Sequence, residues 1–159
     1  MKKYYIAYGS NLNIPQMKWR CKDAKIVGTA IIKDYRLMFK GSQSGSYLTI
    51  EKAEGYVVPV GVWSVSEDDE KCLDRYEGYP HFYYKAEMDL DIKGYRTGKI
   101  YHRKCFIYIM HEDRLLAVPS ERYCQVCRDG YISFGFDLDY LLEAFNYSWE
   151  GRGCRKSVE

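Results

Sequence analysis

The chain has 159 residues, 47% of them apolar and 29% charged, which is one domain's length with enough apolar content to bury a core without disulfide or metal staples. Lys and Arg number 24 against 22 Asp and Glu, a net charge of +2, and this balance argues against a dedicated nucleic-acid or membrane-surface protein. Tyrosine is the outlier at 17 residues, against 6 Phe and 3 Trp; such richness suits strand faces and partly wet pockets.

Residues 4–8 read as an apolar strand running into the turn Gly9-Ser10-Asn11. Behind Lys2 and Lys3 this stretch is too short for the roughly 7–15-residue core of a secretion signal, so a cytosolic location is expected. Asn13 reads as a helix N-cap, with Pro15 in the first turn and Met17 and Trp19 following. Residues 24–39 form a β-rich stretch interrupted near Gly28, residues 41–46 a loop, and residues 47–50 and 56–65 two further strands. The 56–65 run contains Pro and Gly and falls far short of the roughly 18–20 apolar residues of a membrane span.

Ser66 opens the clearest helix. Asp69 stands in capping-box position, Glu67, Asp68 and Glu70 suit the positive helix end, and Gly78 followed by Pro80 closes the element. Residues 82–92 and 99–111 read as strands with a turn at Lys93-Gly94, and residues 119–127 and 137–149 as helices, the last with Leu138, Leu141, Leu142 and Phe145 at helical spacing. Strands dominate the first two-thirds and helices the last third, an α+β pattern in one domain covering residues 1–159.

Three features could carry chemistry. Glu77 lies four residues after Leu73, on the face that carries the helix into the core, and it is the last residue before the C-terminal glycine. Partial burial and the helix dipole would both raise its pKa toward the range of a general base or acid; the other reading is a solvated Glu at a frayed helix end. Tyr8-Gly9-Ser10-Asn11, a strand-to-helix turn, is either an ordinary turn or a set of N–H groups aimed at an anion. Of six cysteines, Cys124 and Cys127 form a lone C-x-x-C without partners of zinc spacing, and two thiols one turn apart on a helix is the preferred reading over redox or metal binding. No nucleotide-binding glycine motif, nucleophile elbow or H-E-x-x-H occurs, and Arg152, Arg155 and Lys156 read as a solvated tail.

Taken together, the sequence resembles the γ-glutamylcyclotransferase-like family, which includes γ-glutamylamine cyclotransferases and plant avirulence-induced-gene proteins. The resemblance rests on Tyr8-Gly9-Ser10-Asn11-Leu12, then Met17, Arg20, Ala24, Gly28, Ala30, Tyr35, Leu37 and Phe39. It continues through Gly61-Val62-Trp63 and Leu73-Asp74-Arg75-Tyr76-Glu77-Gly78-Tyr79-Pro80 to Tyr84-Lys85 and residues 108–110. It is good over residues 5–110; in the C-terminal helical part at 119–150 it is loose over residues 119–123, and the last 30 or so residues are not diagnostic.

The resemblance implies a small, mostly closed mixed β-barrel with flanking helices. It also implies release of 5-oxoproline from a small γ-glutamyl substrate without metal or organic cofactor, and neither a nucleic-acid nor a membrane partner. Glu77 would be the general base and acid. Residues 8–12 would hold the glutamyl part, through its α-carboxylate or through the developing oxyanion, and Tyr84 and Tyr108 would be pocket tyrosines. A non-catalytic member that keeps the pocket to bind a metabolite is the alternative. The leaving amine and the oligomeric state are not fixed by these residues.

Overall fold

The computed structural model describes residues 2–42 and 45–156. Strand β1 (Lys3–Ala7) leads into a 3-10 turn (Ser10–Leu12) and helix α1 (Ile14–Arg20). Two long strands, β2 (Lys25–Ser42) and β3 (Gly45–Val65), precede helix α2 (Glu67–Glu77). Then come β4 (Tyr83–Gly94), β5 (Ile100–Met110), the short β6 (Leu115–Leu116), and helices α3 (Glu121–Phe134) and α4 (Asp139–Glu150).

The strands run in the order β3-β1-β5-β4-β2, and β2 pairs back onto β3, so five strands close into a barrel while β6 adds to β2. β1 and β5 are parallel and the other pairs antiparallel, which makes the barrel mixed. The expected α+β barrel with flanking helices is the architecture found. The β2–β4 seam that completes it is short, pairing only Gly28 with Gly94 and Thr29 with Lys93. A Cβ on Gly28 would lie 2.0 Å from the Lys93 carbonyl oxygen, so closure there depends on a residue without a side chain.

The expectation of two strands at 47–50 and 56–65 is corrected: both belong to β3. The polar run at residues 51–55 looks like a break, but it continues the ladder around an irregularity opposite Asp34. That residue has φ 62°, and its Oδ1 accepts the Gly55 N–H at 3.0 Å. The expected loop at 41–46 also shrinks, because Gly41 and Ser42 end β2 and Gly45 and Ser46 begin β3; Gln43 and Ser44 lie outside the described residues.

The helix signals fall where the caps put them. Asn13 Oδ1 accepts the Gln16 N–H, and Ser66 and Asp69 exchange both bonds of a capping box at 3.1 Å. Gly78 closes α2 in the left-handed conformation at φ 64°, where a Cβ would be strained. Fully buried Leu73 seats α2 on the barrel. Burying such a side chain is worth about 2 kcal/mol, more than the roughly 1 kcal/mol of a cap, so packing places the helix and the cap only trims its start. α3 runs seven residues beyond the expected end at 127 and packs on the 3-10 turn, and α4 packs on β2, where Ser148 Oγ accepts the Phe39 N–H at 2.8 Å. No helix among the described residues is long and apolar enough to cross a membrane.

Candidate active site

The turn after β1 is held from several directions. Trp63 Nε1 donates to the Asn11 carbonyl at 3.1 Å, and the Tyr131 hydroxyl donates to the Tyr8 carbonyl at 2.9 Å. The Asn11 side chain accepts from the Arg20 guanidinium at Oδ1 and donates through Nδ2 to the Tyr5 hydroxyl at 2.9 Å. The first N–H groups of a 3-10 turn have no partner inside it, so this fixed turn presents donors to whatever lies in front. Gly9 has φ −132°, outside the left-handed region. Its lack of a side chain matters through packing, since a Cβ would meet the Tyr123 hydroxyl at 3.3 Å and Leu48 at 3.4 Å.

In front of the turn is a cavity of about 210 Å³. Tyr5 and residues 8–11 form one wall and the end of α2, with Tyr76 and Glu77, another; Tyr47, Leu48, Phe82, Tyr83, Tyr108 and Tyr123 complete it. The volume is below the roughly 300–1,000 Å³ of pockets for drug-sized ligands, so it suits a small polar head group rather than a nucleotide. Among the lining residues only Glu77 carries a formal charge when ionised at neutral pH.

Glu77 is brought there by the last turn of α2. Among the described residues no hydrogen bond or ion pair holds its carboxyl, and the residue lines the cavity. Burial pushes its pKa up to about 8, and the Arg20 charge only partly counteracts this. Arg20 itself lies behind the wall, its guanidinium carbon 3.4 Å from the centre of the Tyr76 ring. Glu77 thus stands at the cavity wall with its pKa raised from the ordinary carboxylate value toward neutral by burial.

Tyrosines make the rest of the wall, and most of their hydroxyls are tied into the protein. Tyr8 donates to the Tyr108 carbonyl at 2.7 Å, Tyr83 to the Leu48 carbonyl at 2.8 Å, and Tyr108 to Asp74 Oδ1 at 2.6 Å. Asp74 is in turn bound by Lys85 at 2.8 Å. Burial keeps the Tyr8 and Tyr83 hydroxyls, like that of Tyr5, well above the usual phenol range.

Of the residues singled out from sequence, Tyr8, Gly9, Ser10, Asn11, Glu77 and Tyr108 gather at the cavity. Leu12 and Tyr84 do not line it. Leu12 is fully buried in the core, close to Gly61 and Gly130. Tyr84 follows Tyr83 on β4, and strand alternation turns it outward to donate to Glu112 at 2.6 Å; its neighbour Tyr83 takes the cavity position. Tyr5, Tyr47, Leu48, Tyr76, Phe82, Tyr83 and Tyr123 also line the cavity without having been singled out from the sequence, where nothing local separates them from other aromatic and apolar residues. Cys124 and Cys127 share α3, and burial raises the Cys127 thiol to about 12, which makes it a poor thiolate. No cluster of metal-binding side chains gathers among the described residues.

Residues 5–125 match the family described as gamma-glutamyl cyclotransferase, AIG2-like. The chain belongs to this family. Human gamma-glutamylcyclotransferase is 27% identical over 144 residues, covering 86% of this chain and 73% of the human protein. A solved structure of a gamma-glutamyl cyclotransferase aligns with a TM-score of 0.77 at 26% identity, over 91% of this chain and 86% of that one. YkqA from Bacillus subtilis aligns with a TM-score of 0.74 at 18% identity, over 95% of this chain and 55% of that one, a likeness of fold alone. The cavity with its free carboxyl thus belongs to a fold and family of γ-glutamyl cyclotransferases.

Proposed function

We propose that the chain releases 5-oxoproline and a free amine from a small γ-glutamyl compound, with Glu77 as general base and acid. The observation that carries this reading is the unpartnered Glu77 carboxyl in a small cavity with no other formal charge on its wall.

The substrate class brings its own nucleophile, the α-amino group, and its own electrophile, the γ-amide carbonyl. Ring closure is intramolecular, so the protein's task is to fold the glutamyl chain back and hold it, an effect worth up to about 7–11 kcal/mol in well-oriented systems. In a γ-glutamyl compound the α-amino group shares its carbon with a free carboxylate and stays strongly basic; a Glu77 carboxyl raised to about 8 is closer to it in basicity than an ordinary glutamate, which lowers the cost of passing a proton between them.

With Glu77 protonated and the amine free, the amine attacks and the new N–C bond forms. Glu77, protonated by the α-ammonium, gives that proton to the leaving nitrogen as the old C–N bond breaks, and the carboxylate so formed removes the extra proton from the ring nitrogen. No water is consumed. N–H groups of the turn at residues 9–11 hold the α-carboxylate or the carbonyl oxygen as it gains charge.

Incubation in ¹⁸O-labelled water tests the reading. A γ-glutamyl compound should give unlabelled 5-oxoproline and free amine, and its N-acetyl counterpart should stay intact. Label in the product, or cleavage of the acetylated compound, would mean hydrolysis and contradict the proposal.

A further inference from the structure

We infer that Tyr5 is a second catalytic group of this site: its hydroxyl, and not that of Tyr8, Tyr83 or Tyr108, donates a hydrogen bond to the γ-carbonyl oxygen as that oxygen takes on negative charge. The inference rests on the cyclotransferase reading above and adds a residue to it.

A phenol has one proton, so each hydroxyl of the wall can be assigned a direction. Tyr8 and Tyr83 donate to main-chain carbonyls and Tyr108 to a carboxylate, acceptors that have no proton to offer in return. Those three protons are spent inside the protein. Tyr5 differs because it accepts from Asn11 Nδ2 at 2.9 Å.

The orientation of that amide is fixed by chemistry. Arg20 contacts the other end of the Asn11 side chain, and a guanidinium only donates, so the end facing Arg20 must be the oxygen and the end facing Tyr5 the NH₂. An NH₂ group only donates, so the Tyr5 proton points elsewhere. No other hydrogen bond of the Tyr5 hydroxyl exists among the described residues, and Tyr5 lines the cavity.

Tyr5 is also placed and tuned for this role. It is 3% exposed, its ring packs 5.4 Å from that of Phe106 and 5.9 Å from that of Tyr108, and Glu77 is the charge that acts on it most. Burial, then the Glu77 charge, hold its pKa well above the ordinary phenol value, so it stays protonated while Glu77 titrates. The hydroxyl therefore lends a hydrogen bond to the oxyanion without giving up its proton, and the bond relaxes when the carbonyl re-forms. Nitrogen protons travel through Glu77 and oxygen charge is met by Tyr5.

Other free hydroxyls are less suited. Ser10 and Tyr76 bond each other at 2.9 Å and either can be the donor, so no fixed partner directs either proton as Asn11 directs that of Tyr5, and Tyr76 is 44% exposed. Tyr47 is 36% exposed, and Tyr123 accepts the Leu48 N–H and lies against Cys127.

The test pairs Tyr5→Phe with 3,5-difluorotyrosine at position 5, assayed by 5-oxoproline release. Removing one oxyanion donor should lower kcat by about 10²–10³ with KM little changed. Difluorotyrosine keeps the Asn11 bond and makes a stronger donor, so kcat should rise by about twofold or more, whereas a purely structural tyrosine would show no response. Wild-type protein that forms no 5-oxoproline would remove the reaction and this role with it. An active wild type whose Phe variant keeps its kcat, or whose rate ignores fluorination, would remove Tyr5 alone.

Discussion

The two ends of α2 hold the same side chain in opposite states. Glu70, in the first turn, sits between Lys85 at 2.7 Å and Lys3 at 2.9 Å. Burial works against its charge, but the hydrogen bonds from the two lysines outweigh it and the pKa stays below the ordinary carboxylate value. Seven residues on, Glu77 has the burial without the ion pairs and rises to about 8. The helix dipole adds to the contrast, favouring an anion at the first turn and opposing one at the last. Placement and partners, not residue type, make one glutamate a clamp joining β1, α2 and β4 and leave the other with a raised pKa at the cavity wall.

Glu77→Gln should have the largest effect. It keeps shape and removes the titrating proton, so kcat should fall by about 10²–10⁴ while the circular dichroism spectrum is kept. Stability should separate the two states as well. A carboxyl whose folded pKa is raised binds more protons in the native state, so the wild type loses stability as pH climbs from about 4.5 to about 8. The Gln variant should lack that component, and denaturant titrations at several pH values would show it.

The site was legible in the sequence where chemistry is local and illegible where it depends on phase or distance. Ser66, Asp69 and Gly78 mark both ends of α2, and the spacing from Leu73 to Glu77 puts the carboxyl on the inner face. The absence of a partner for Glu77 is a tertiary fact that spacing does not contain. Phe82, Tyr83 and Tyr84 are all aromatic, so composition gives no clue to which one faces inward, and Tyr84 took the place of Tyr83. Asn11 reads as a turn residue; that it links Arg20 to Tyr5 appears only when α1 folds back beside β1. The polar run at 51–55 hid the continuity of β3 because its pairing is set by Asp34, some twenty residues away.

Arg20→Met sharpens the contrast from the other side. Arg20 is the charge that lowers the Glu77 pKa, so its removal should move that pKa further above about 8 and shift the corresponding limb of the kcat/KM pH profile upward. Arg20→Lys should shift it less. An unmoved profile would mean that Arg20 acts only through Asn11.

Lys85→Met should break the clamp end. Glu70 and Asp74 lose a partner that is itself 22% exposed, so the cost near pH 7 should be about 1 kcal/mol. Because the Glu70 pKa is lowered in the folded state, the stability it contributes is present above its ordinary value of 4.5 and is lost as pH falls through the folded value. The deficit of the variant should therefore shrink in acid.

The smallest effects are expected away from α2. Tyr84→Phe and Cys124→Ser should leave kcat/KM within about twofold of wild type, since neither side chain lines the cavity. A tenfold loss in either would redraw the site.

The central claim is that Glu77 carries a proton near neutral pH, and a ¹³C NMR titration of glutamate-labelled protein reads it directly, with Glu77→Gln assigning the resonance. A midpoint near 8 is the result predicted. A midpoint near the ordinary 4.5 would show a solvated or paired carboxylate at the end of α2 and contradict the account.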